Sequence, residues 1–127
     1  MFEGMIKTKG VETLEVFKKS RHIVLEVYRI TTKFPVGERF ALIPQMRRAV
    51  VSIPANLIEG SERVGRLEYR RFVSIAKGSA GELRYYFLLA KDLGYISAEE
   101  YSRFRREIEE IGKMLSGLVK ALSIAKA

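Results

Sequence analysis

The chain has 127 residues, 47% of them hydrophobic, no cysteine and a formal net charge of +8, which is enough apolar material for one domain with its own core. The lack of cysteine excludes disulfides, thiol nucleophiles and cysteine-ligated zinc, and fits a reducing, cytoplasmic home. The longest uncharged run, Ala49 to Ile58, is too short to span a bilayer, and the opening MFEGMIKTKG lacks a signal-peptide core. The positive excess points to polyanionic partners such as nucleic acid or an acidic membrane face, and charge alone does not decide between them.

In chain order, residues 1 to 12 read as a loose leader and residues 13 to 127 as a single bundle domain. Phe17, Val24, Tyr28 and Thr31 recur at helical spacing and predict a helix over about residues 13 to 33, stopped by Phe34, Pro35 and Gly37. His22, the single histidine, shares a helical face with Lys18, Arg29 and Lys33. With no G-x-S-x-G turn to hold a nucleophile, it reads as a surface residue without a catalytic role.

The next stretch, QMRRAVVSIPANLIEG, is rich in β-branched residues, which favour a strand, yet Leu42, Met46, Ala49, Ile53 and Leu57 recur at helical spacing. The helical period outweighs β propensity, which burial overrides. Pro54 removes a hydrogen bond to the carbonyl of Val50, so the segment is expected to be a bent helix, closed by Gly60. Arg47 and Arg48 point about 100° apart on a helix. One is expected to be exposed, here assigned to Arg48, and the other to pair with Glu59 or Glu62.

A longer helix follows over about residues 65 to 93, with Tyr69, Phe72, Ala76, Ser79, Leu83, Tyr86, Ala90 and Leu93 in one seam. Its small-residue middle, KGSAGE, implies close approach of another helix, because interior glycines cost about 1 kcal/mol each; no P-loop pattern is present. Arg63, Arg70, Lys77, Arg84 and Lys91 are spaced by sevens and form a basic stripe, with Arg66 and Arg71 beside its start. The stripe is either a track for a phosphate backbone or a solubility stripe paired with glutamates of a neighbouring helix. No helix-turn-helix or zinc-finger pattern presents side chains to base edges, so sequence preference is expected to be weak. The run YYFLLA points apolar groups in every direction. With Tyr86, Leu89 and Ala90 in the core, Tyr85, Phe87 and Leu88 are expected to form an exposed patch for self-association.

The final helix is bounded clearly. Gly94 ends the preceding helix, Ser97 and Glu100 form a capping box, and Ile96 and Tyr101 are placed as a hydrophobic staple. Tyr101, Phe104, Ile108, Ile111, Leu115, Leu118 and Leu122 hold one seam. The pairs Glu99/Arg103, Arg105/Glu109, Arg106/Glu110 and Glu109/Lys113 suit i,i+4 ion pairing, which reads as a self-neutralised surface with no metal site.

Together, FPVGERFALIPQMRRAVVSIPANLIEGSER, EYRRFVSIAKGSAGEL and LAKDLGYISAEEY resemble the 23S rRNA intervening-sequence proteins, whose relatives include the accessory variability protein of diversity-generating retroelements. The resemblance covers about residues 13 to 122. It implies an all-α fold, an antiparallel up-down four-helix bundle assembling into a homopentamer, and, for the retroelement branch, binding to RNA or DNA and to a reverse transcriptase. The resulting expectation is a non-enzymatic nucleic-acid-binding protein without cofactors, contacting the backbone through Arg48, Arg63, Arg66, Arg70, Arg71, Lys77, Arg84 and Lys91. The alternative is a scaffold that docks an acidic protein.

Overall fold

The apolar periodicities become four helices. The computed structural model describes residues 10–123, and in it α1 spans Glu15–Thr31, α2 Leu42–Ser61, α3 Arg66–Asp92 and α4 Ala98–Ser123. A single helical turn, Val11–Thr13, precedes α1, and a 3-10 turn, Val36–Glu38, lies between α1 and α2. Each helix packs on the next and α4 closes back on α1, so short connections fold the chain up and down into an all-α bundle.

The α3–α4 turn forms as its residues dictate. Gly94 takes φ +80°, the Gly94 amide donates to the Lys91 carbonyl at 2.9 Å and the Tyr95 amide to the Ala90 carbonyl at 2.8 Å. This is the Schellman arrangement that satisfies the last carbonyls of a helix. Ser97 and Glu100 then cap α4 reciprocally: the Ser97 amide donates to Glu100 Oε1 at 2.9 Å and the Glu100 amide to Ser97 Oγ at 3.0 Å. The α1–α2 connection is tied to this turn. Glu38 accepts from the Leu42 amide at the start of α2 and from the Tyr95 hydroxyl, while the Tyr95 ring lies 5.1 Å from that of Phe34.

The core is closed between α3 and α4 by Phe87 stacked on Phe104, with centroids 4.8 Å apart and planes 6° from parallel. The α3 seam is Phe72, Val73, Ala76, Ala80, Leu83, Phe87 and Ala90. It is rotated from the sequence reading, so Ser79 and Tyr86 are half-buried flanks and Leu93 is exposed. Phe87 is fully buried and its assignment to an exposed patch is wrong, because its ring fills the space opposite Phe104. Of the three patch residues, Tyr85 is exposed and Leu88 half-buried.

Other expectations shift as well. The first nine residues of the expected leader lie outside the described residues, but its end does not behave as a leader: Val11 is 2% exposed and belongs to the core. On α1, Tyr28 is exposed rather than in the seam, its ring covered by the Arg47 guanidinium 4.5 Å from the centroid. Arg47 also donates to Thr31 Oγ1 at 2.9 Å and to the Tyr28 carbonyl at 3.4 Å, so its partners are a hydroxyl, a carbonyl and a ring, not Glu59 or Glu62. Pro54 lies inside α2.

The glycines divide by function. Gly60 does not terminate α2; it is buried one residue before the end, where an added Cβ would stand 2.9 Å from Phe72 Cβ and 3.0 Å from Tyr69 Cδ1. It is the close-approach residue between α2 and α3. Gly78 and Gly81, expected to have that role, would place a Cβ in open space, and contact with α2 is made instead through neighbours such as Ser79, whose hydroxyl is 2.8 Å from that of Ser52. Gly60→Ala is therefore expected to lower stability by about 1–3 kcal/mol through overpacking, despite the better helix propensity of alanine. Chemical denaturation checks this; an unchanged or raised midpoint would show that the Phe72 backbone yields.

Candidate nucleic-acid interface

Heptad spacing on a helix places residues on one face about 10.5 Å apart, and α3 carries Arg70, Lys77, Arg84 and Lys91 in this register. The structure lays this row along the seam with α4. Arg70 Nη1 donates to Ser123 Oγ at 3.1 Å, Lys77 shares a groove with Glu109 and Lys113, the Arg84 charge acts on Glu109, and Lys91 Nζ lies 5.3 Å from the Tyr101 ring centroid.

The remaining members of the expected set are dispersed. Arg63 lies beyond the N-terminus of α3, in the connection from α2, where it pairs with Glu59 at 2.7 Å and stacks over Phe72 at 4.7 Å. Arg71 pairs with Glu68 at 3.4 Å and lies over the same ring. Arg66 opens α3 and is also engaged within the chain. Arg48 is exposed on α2, whose Gln45 accepts from the Tyr86 hydroxyl, so it stands on the opposite flank of α3 from the row. These four do not join Arg70, Lys77, Arg84 and Lys91.

Sequence reasoning missed a second row. On α4, Arg106, Lys113 and Lys120 are also spaced by sevens and all are exposed. Because α3 and α4 are antiparallel and Lys77 meets Lys113 at one groove, one heptad toward the turn brings Arg84 level with Arg106. One heptad away brings Arg70 level with Lys120. Lys77, Arg84, Arg106, Lys113 and Lys120 have no carboxylate at ion-pair distance among the described residues.

The second row stands clear because the acids of α4 turn the other way. Glu110 pairs across the bundle with Lys19 of α1 at 3.6 Å, not with Arg106. Arg103 bridges Glu107 at 3.3 Å and Glu26 of α1 at 3.2 Å, not Glu99. The Arg105–Glu109 pair forms as expected, at 2.8 Å. The Arg105 hydrogen bond, aided by the charges of Arg105, Arg84 and Lys113, holds Glu109 below its ordinary pKa. Glu109 is thus the single acid set into the α3–α4 groove, which is about 250 Å³ in volume.

The α1–α4 side is mixed in charge: Glu15, Lys18, Lys19, His22, Glu107 and Glu110 line a groove of about 320 Å³. His22 is exposed there. Among the described residues no cluster of His, Asp or Glu could hold a metal ion, and no helix is long and apolar enough to cross a membrane.

The fold and this surface define a class, a helical bundle with one cationic seam between antiparallel helices. The chain belongs to the family of 23S rRNA-intervening sequence proteins, whose family model matches residues 12–117. A crystal structure of a protein of unknown function from the S23 ribosomal protein family of Bacteroides thetaiotaomicron is similar to it with a TM-score of 0.76 at 27% identity, over 83% of this chain and 98% of that one. No curated protein matches the chain.

The segregation of acids toward α1 has a pH signature. Hydrogen bonds from Arg29 and Arg103, opposed by burial, hold Glu26 below its ordinary pKa of 4.5. A carboxyl depressed on folding contributes stability above its unfolded pKa and loses it as pH falls through the folded value. Glu26→Gln is expected to cost about 1–2 kcal/mol at neutral pH, with the difference from the parent shrinking below pH 4.5. Urea denaturation across pH checks this, and a cost independent of pH would contradict it.

Proposed function

We propose that the protein is a non-enzymatic, cytoplasmic nucleic-acid-binding protein that contacts the sugar-phosphate backbone along the α3–α4 face. The observation that carries this reading is the pair of cationic rows, Arg70, Lys77, Arg84 and Lys91 on α3 with Arg106, Lys113 and Lys120 on α4. Six of the seven have no carboxylate at ion-pair distance among the described residues, the exception being Lys91, 3.9 Å from Asp92. A solubility stripe neutralised by the neighbouring helix would need glutamates where α4 places lysines. Contacts of this kind position a backbone and carry little base information, so RNA and DNA of many sequences are accepted.

The binding unit is a homo-oligomer, with five copies as the number the family resemblance implies. Tyr85, 55% exposed, and half-buried Leu88 supply apolar surface for it, and a bend at Pro54 lets α2 follow its neighbours. Membership of the retroelement branch, with a reverse transcriptase as partner, is the narrower form of the same reading.

Two measurements test it. Changing Arg70, Lys77 and Arg84 together to alanine is expected to weaken oligonucleotide binding and to reduce the slope of log K against log salt by about 2, since each phosphate contact contributes about 0.7–0.9. Parent-like binding at several salt concentrations would remove the face from consideration and favour a scaffold for an acidic protein. Native mass spectrometry is expected to give a closed oligomer that Tyr85→Glu weakens; a monomeric parent would contradict self-association.

A further inference from the structure

We infer that the α3–α4 face is built for a single nucleic-acid strand lying in the slot between the two cationic rows, and not for a duplex resting across them. This rests on the reading of that face as a backbone-binding site and names the form of nucleic acid it takes.

The slot is the groove lined by Lys77, Ala80, Gly81, Ile108, Glu109, Gly112, Lys113 and Ser116, and its one carboxylate, Glu109, is engaged by Arg105 at 2.8 Å. Lys77 and Lys113 stand on its two banks, one from each helix, and neither has an ion-pair partner among the described residues. Gly81 lines it from α3 and Gly112 from α4. Glycine is the least favourable residue after proline in a helix interior, and at Gly60 the neighbouring helix explains its presence. At Gly81 and Gly112, as at Gly78 and Gly117 outside the slot, no described residue does: a Cβ at either position would meet no described atom within 4 Å. A methyl group there meets no described neighbour, and a longer side chain would project into the slot.

Depth between the rows matters only to a ligand narrow enough to enter. Packed helix axes lie about 8–10 Å apart, so a double helix is too wide for the slot and would ride on the lysine and arginine tips whether the floor were glycine or leucine. A single strand can lie along the floor with its phosphates within reach of both banks. Among the described residues the seam offers no open aromatic platform for base stacking, since the Tyr101 ring lies beneath Lys91; the bases then face outward, and the strand is held by its phosphates.

The test is fluorescence anisotropy with a labelled 20-mer as single-stranded DNA, as single-stranded RNA and as a blunt DNA duplex, on the full chain and on Gly81→Leu/Gly112→Leu. The double variant is expected to lose at least about tenfold in affinity for both single strands while duplex binding stays within about twofold, with an unlowered thermal midpoint. Gly117→Leu, at an equally open glycine of α4 outside the slot, is expected to bind like the parent. Gly81→Ala/Gly112→Ala, which fills the slot less, is expected to show a smaller loss and serves if the leucines disturb folding. Undiminished single-strand binding in the filled variants, while the Arg70, Lys77 and Arg84 triple variant loses it, would overturn the slot and leave the face standing. Equal losses for strand and duplex would overturn the single-strand assignment. A changed oligomer mass in the filled variants would make the slot a contact between copies instead, and a parent that binds none of the three probes would overturn both readings.

Discussion

The parallel stack of Phe87 on Phe104 sets how α3 and α4 lie against one another, and the surface follows from that register. Offset-stacked aromatic pairs add about 0.5–1.5 kcal/mol beyond their burial, and here the pair is fully enclosed. The Gly94 turn and the Ser97–Glu100 cap hold the near end of the same two helices. A slip of α4 by one residue would turn its seam away from Phe87 by about 100° and carry Lys113 away from Lys77. Core packing and the cationic face are therefore one constraint seen from two sides: the heptad that brings Phe104, Ile111 and neighbours inward brings Arg106, Lys113 and Lys120 outward in step.

Charge distribution completes the arrangement. α4 is close to neutral as a sequence but polarised as a helix, with Glu107 and Glu110 directed to α1, where Arg103 and Lys19 meet them. Its bases on the α3 side are left without matching acids, apart from Glu109. A net charge of +8 attracts polyanions, and seven cations along one seam, with Glu109 as the single acid in its groove, give that attraction a local focus. The family match and the likeness to the S23-family structure from Bacteroides thetaiotaomicron are likenesses of the bundle, whereas the functional reading comes from where these side chains stand.

What was legible in the sequence was local. The capping box at Ser97 and Glu100, the left-handed Gly94 and the α4 seam from Phe104 to Leu115 depend on residues within a turn or two of one another. The helical reading of QMRRAVVSIPANLIEG held because its apolar period outweighed its β-branched content. What misled was ambiguity that only another helix resolves. YYFLLA offers apolar side chains all round, so periodicity does not decide between Tyr86 and Phe87 as the inward residue; Phe104 does. Likewise Arg106 and Glu110 have ideal spacing for a pair within α4, but Lys19 of α1 takes the acid. The heptad of Arg106, Lys113 and Lys120 is as regular as the α3 row, but the acids spaced to pair with it inside α4 mask it until α1 is seen to take Glu110.

Lysine reactivity tests the central claim most directly, because it reads individual side chains in the intact chain. With limiting acetylation in the presence of a saturating single-stranded oligonucleotide, mass spectrometry of the peptides should show Lys77, Lys91, Lys113 and Lys120 protected. Lys18 and Lys19, on the α1–α4 side, should react as in the free protein. Protection spread evenly over all lysines, or concentrated on Lys18 and Lys19, would contradict a nucleic-acid site on the α3–α4 face.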